Sequence, residues 1–84
     1  MKFQNAIKKV AKATGTEPIK NGMFYVSQIG NYNLRFCKSS ISDDVSTISV
    51  CRKGEKSDIM SDYFPQMYFD NITQALNWTI SQTF

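Results

Sequence analysis

Cys37, Cys51, Glu55, Asp58 and Asp62 are the side chains whose types could do chemistry: two thiols and a short run of carboxylates. Two thiolates are half of a tetrahedral zinc site, and clustered carboxylates can gather a hard cation. The chain has no histidine. That removes the commonest general base, the usual partner of a serine or cysteine nucleophile, and the nitrogen ligands that would complete a zinc site. The spacing from Glu55 to Asp62 fits no calcium loop, and the glycines at 15, 22, 30 and 54 are too scattered to cradle a phosphate. No catalytic residue, metal or cofactor is expected, and the chain reads as non-enzymatic. Asp62 is expected to brace the Tyr63-Phe64 segment by accepting backbone N–H bonds from the neighbouring turn.

What remains is binding. Tyr25, Arg35, Tyr63 and Trp78 are candidates for an interaction surface, because aromatic and arginine side chains concentrate at the centres of protein interfaces. Lys8, Lys9, Lys12 and Arg52 form a candidate basic patch, to which Arg35 could add. The net charge of +3 on 84 residues is mild, and ordinary salt screens such a field within about 8 Å. For the lysines, the bland alternative is a solvated helix face near a C-terminus, where positive charge suits the dipole.

The elements that must position these side chains follow from periodicity. Between Lys2 and Thr14, Phe3, Ala6, Ile7, Val10 and Ala11 recur at helical spacing while Lys8, Lys9 and Lys12 fall opposite, which predicts an amphipathic helix. Gly15 is its left-handed C-cap and Pro18 prevents continuation. Asn21-Gly22 is a turn. Strand one then runs from Met23 to Gln28, with Phe24 and Val26 inward and Tyr25 and Ser27 outward. Ile29-Gly30-Asn31 is a hairpin connection. Strand two, from about Tyr32 to Lys38, turns Tyr32, Leu34 and Phe36 inward and Asn33, Arg35 and Cys37 outward.

Ser39 to Asp44 is a polar loop. Val45 to Arg52 alternates again, Ile48 and Val50 inward, Thr47, Ser49 and Cys51 outward, as in a sheet covered on one face. Cys37 and Cys51 would then share the outer face as near neighbours, each a small, partly buried thiol rather than half of a disulfide. Lys53 to Ser61 reads as an exposed loop. Pro65 excludes a central strand, so Tyr63 to Phe69 is an extended segment closing one edge, with Met67 to Phe69 a candidate short fourth strand. Asp70 or Asn71 caps a second helix, Asn71 and Gln74 approximating a capping box, and Ile72, Ala75, Leu76, Thr79 and Ile80 form its buried stripe. Trp78 lies off that stripe, packed on the helix flank or anchoring a partner.

The fold expected is α+β: a single domain over residues 1–84 in which helix, three-stranded antiparallel meander, candidate fourth strand and helix follow in order, both helices on one sheet face. Double-stranded-RNA-binding domains share this order, but their phosphate-binding lysines start the second helix. Here those positions are Asp70, Asn71, Ile72, Thr73 and Gln74. RNA binding of that kind is not carried over.

The strand end Val50-Cys51-Arg52, a charged loop, Ser61-Asp62-Tyr63-Phe64, and Asn71-Ile72 with Ala75 opening a helix resemble small domains of tailed phages and mobile elements. Similar Asp-Tyr-Phe segments occur in domains attached to large polyvalent phage proteins. The resemblance covers roughly the C-terminal half and implies an accessory protein of the α+β class, with no activity to transfer. The function expected is binding of a macromolecule, a protein first, a second copy of the chain included. The alternative is a weak nucleic-acid-binding module using the basic first helix and the exposed sheet face. No window approaches the roughly 18 apolar residues of a membrane span and no signal-peptide pattern opens the chain, so the cytoplasm is the expected compartment, that of the host if the protein is phage-borne.

Overall fold

Helix α1, Phe3–Thr14, forms where the apolar stripe predicts it, burying Phe3, Ala6 and Val10. Gly15 closes it at φ 80°, its N–H donating to the Ala11 carbonyl, the left-handed cap that glycine adopts without steric cost. The computed structural model describes residues 1–53 and 62–83, the side chains of 53, 62–66 and 83 excepted. After Lys53 the expected 53–61 loop therefore lies outside the described residues, as do Glu55, Asp58 and the Asp62 carboxylate.

Five strands follow, not three or four: β1 Ile19–Asn21, β2 Phe24–Ile29, β3 Tyr32–Lys38, β4 Val45–Lys53 and β5 Asp62–Phe69, then helix α2, Ile72–Thr83. Each strand pairs antiparallel with the next, giving one sheet in chain order. β1 is three residues long, too short for alternation to show. It shifts the first turn to Gly22-Met23, with Asn21 ending β1. Gly22 at φ 63° supplies the positive φ that a two-residue hairpin needs at its first central position. Pro65 stands within β5, which is tolerated because β5 is an edge strand.

The register sets the two faces of the sheet. Tyr25 lies opposite Phe36 and Ser27 opposite Leu34, while Phe36 faces Ile48 and Leu34 faces Val50. Tyr32, Leu34, Phe36, Ile48 and Val50 thus turn inward as predicted. They form one core with Phe3, Ala6 and Val10 of α1 and Ile72, Ala75 and Leu76 of α2, so both helices cover the same face. Strand β2 has the opposite parity to the prediction: Tyr25 and Ile29 face the helices, and Phe24 and Val26 face away. Its apolar residues fall on both sides of the pleat, so alternation could not decide. Ile29 and the pairing of Tyr25 with Phe36 decide it.

The other face is not an open platform either. Val26, Asn33, Ser49 and Cys51 lie on it and are each at most 4% exposed. One irregularity marks the β3–β4 pairing, where the register shifts between Phe36 and Cys37 and leaves Thr47 as the extra residue at φ 36°, a left-handed position within a β-bulge. Cys37 consequently stands opposite Ser46, while Cys51 stands opposite Asn33. The two thiols share a face as predicted but are not near neighbours. Four residues of β3 separate their rungs, about 13 Å at the usual strand rise, beyond the reach of a disulfide.

The second helix is capped as its sequence indicates. The Gln74 N–H donates to Asn71 Oδ1 at 2.8 Å, which satisfies one of the unpaired first-turn donors. Thr79, fully buried, donates its hydroxyl to the Ala75 carbonyl at 2.7 Å, so it enters the core without an unmet hydrogen bond.

Candidate functional site

The four residues predicted to form an interaction surface do not converge. Tyr25 is half-buried on the helix-covered face, its ring edge-on to Phe3 at 5.1 Å between centroids. Trp78 is half-buried against Tyr32 at 5.4 Å and Phe69 at 6.0 Å, the packing role that its off-stripe position allowed. Arg35 points to the opposite face, its guanidinium 5.0 Å from the centre of the Phe24 ring, a cation–π contact. Of Tyr63 only the backbone, within β5, is described. Tyr25 and Trp78 thus serve the core, because their rings fill the gaps between helices and sheet.

The basic patch is spread over two elements, α1 and β4, on one side of the sheet. Lys8, Lys9 and Lys12 are exposed together on α1, where with Asn5 and Ala13 they line a shallow depression. Arg52 is exposed on β4, opposite Tyr32, while α1 lies against α2 and β2. Arg35 is across the sheet from α1. The first helix and the far sheet face therefore lie on opposite sides of the sheet.

What brings the lysines into prominence is their neighbour. Helices α1 and α2 run side by side in the same direction, each antiparallel to the strand that follows or precedes it. Together their sequences hold Lys8, Lys9 and Lys12 and not one aspartate or glutamate. Apart from Ala13, the exposed remainder of this layer among the described residues is amide and hydroxyl: Gln4 and Asn5 on α1, Gln74, Asn77, Ser81 and Gln82 on α2. The acids with described side chains sit at the ends of the layer, Glu17 after α1, Asp43 and Asp44 of the β3–β4 connection beside the start of α1, and Asp70 before α2. Asp44 pairs with Lys2 at 3.6 Å and Asp43 with Lys38 at 3.9 Å. Among the described residues, Lys8, Lys9 and Lys12 take part in no ion pair. The sequence held the signal, since no charged residue occurs from Asn71 to Phe84, but only the fold shows that this neutral stretch flanks the basic one.

Among the described residues no group of three histidine, cysteine or acidic side chains could hold a metal ion, and no helix is long and apolar enough to cross a membrane. Comparison with protein-family models, with curated proteins and with solved structures gives no match. The fold itself is an α+β domain, two helices on one face of a five-stranded antiparallel sheet.

Proposed function

We propose that this chain is a small non-enzymatic binding module whose working surface is the outer side of the α1–α2 layer and whose partner is a negatively charged macromolecule. The observation that carries it is the charge distribution: three exposed lysines, in no ion pair among the described residues, on a pair of helices that contain no acidic residue. Uniform sign over a surface raises the local concentration of oppositely charged partners and speeds their encounter. The Asp-Tyr-Phe resemblance supports an accessory role in a phage or mobile element. Two thiols too far apart to bridge support a reducing compartment such as the host cytoplasm.

Retention on immobilised polyphosphate in a salt gradient tests the surface. Each Lys→Glu change moves the net charge by two, so K8E/K9E/K12E takes +3 to −3. So does the control K20E/K38E/R52E, whose residues lie on β1, β3 and β4 and not on α1. The parent chain should be retained, the α1 variant should pass through, and the control should retain part of its binding. Equal loss in both variants would mean that net charge alone is at work, and the assignment would fail.

A second reading has its own observation. Met1, Met23 and Ile41 are large, apolar and 53%, 78% and 93% exposed. The β1–β2 turn, the β3–β4 connection and Met1, whose carbonyl accepts from the Val45 N–H, all lie at one end of the sheet. Contact through that end with a second copy of the chain would cover them. Pairing through the sheet edges is disfavoured, since β1 is short and follows Pro18 while β5 contains Pro65. Sedimentation over a concentration series should show a dimer that M23K/I41K abolishes, and a monomer throughout would remove this reading.

A further inference from the structure

Resting on the proposed helical-layer surface, we infer that its partner is double-stranded DNA, held by the phosphate backbone without regard to sequence. Lys8 and Lys12 are one helical turn apart on the exposed side and Lys9 lies beside them, so three ammonium groups are offered along about 6 Å of helix axis. Asn5 lines the same depression, and the amides of Gln4, Gln74 and Asn77 are exposed on the same two helices. Lysine together with neutral amide and hydroxyl donors is the set that contacts phosphate oxygens and fixes a protein on a duplex. An acidic protein surface would be matched equally by the lysines but makes less use of the neutral donors, since carboxylates are sparser than backbone phosphates.

The duplex is favoured over a single strand by what the described residues of the layer lack. Sequence-tolerant single-strand binding depends on exposed rings on which bases stack. Here Phe3, Tyr25 and Trp78 are packed against Phe36, Tyr32 and Phe69. Tyr68, 70% exposed, lies in register with Ser49 and so projects from the opposite face. Duplex RNA is disfavoured because the start of α2 offers Asp70 and Asn71 where groove-spanning RNA binders place lysines.

Fluorescence anisotropy with a short labelled DNA duplex tests this. If three lysines each neutralise one phosphate, log K should fall against log salt with a slope of about −2.7, an affinity loss of about 40-fold between 50 and 200 mM salt. Each single change K8Q, K9Q or K12Q should make that slope shallower by about 0.9, while K38Q, which removes a lysine already paired with Asp43, should leave it unchanged. Trp78 emission should not change on binding. Tighter binding of duplex RNA, or of single-stranded DNA with quenching of Trp78, would overturn the inference. Competition by polyglutamate as effective as by duplex, at equal charge concentration, would also overturn it while leaving the anionic-partner surface standing. Failure of the parent chain to be retained on polyphosphate would remove that surface and the inference together.

Discussion

Phe36→Ala should leave most molecules unfolded at room temperature in mild denaturant. Phe36 is fully buried at the centre of the sheet, between Tyr25 of β2 and Ile48 of β4 in the pairing register. Its ring lies 5.7 Å from that of Phe3 on α1 and 6.3 Å from that of Tyr25. Truncation removes the transfer free energy of a phenyl group and leaves a cavity walled by a strand on each side and a helix above, which can collapse only in part. Changes of this kind cost about 3–5 kcal/mol, against roughly 4–13 kcal/mol for a domain of this length. Urea titration followed by circular dichroism measures the shift. A loss below about 1 kcal/mol would mean that the helices do not close over Phe36.

Val26→Lys should destabilise nearly as much, and for a different reason. A sheet covered on one face only would let a lysine at 26 reach water from the uncovered side, with little effect on stability. Val26 is instead 1% exposed on the face away from the helices, directly across from Arg35. The introduced ammonium would be desolvated beside a like charge. An uncompensated buried charge costs about 3–5 kcal/mol. Both influences favour the neutral amine, so the folded-state pKa of this lysine falls below its unfolded value of about 10.4. Unfolded chains then bind more protons, and stability should rise as pH climbs from neutrality toward 10. Urea midpoints at pH 7 and pH 9.5 give the comparison. A variant as stable as the parent at pH 7 would show that this face is open to water.

These two positions also show what the amino-acid order could and could not disclose. At Phe36, strict alternation from Tyr32 to Phe36 and from Ile48 to Val50 left one assignment of faces, and the structure follows it. Both helices were legible too, because their ends carry chemistry: Gly15 for α1 and Asn71 with Gln74 for α2. Around Val26 the pattern was ambiguous, with Phe24, Tyr25, Val26 and Ile29 placing apolar groups on both sides. The three residues of β1 were too few to display any period. The interaction surface drawn from Tyr25, Arg35, Tyr63 and Trp78 depended on that ambiguous strand and on residue type, and neither reveals which rings a core will absorb. The three lysines were visible as a helix face. Their significance needed the uncharged α2 placed beside them, a relation between residues some 60 positions apart in the sequence.

Strand order along the sheet repeats strand order along the chain, and this bears on how quickly the molecule reaches its native state. Every hairpin can close with its immediate predecessor, so the sheet can assemble by successive short-range zipping with small loop-closure penalties. The distant encounters are left to the helices and to the link between Lys2 and Asp44. Refolding should therefore be faster than in β-rich domains of similar size whose strands cross over one another, and the docking of α1 and α2 onto a preformed sheet should be its concluding event.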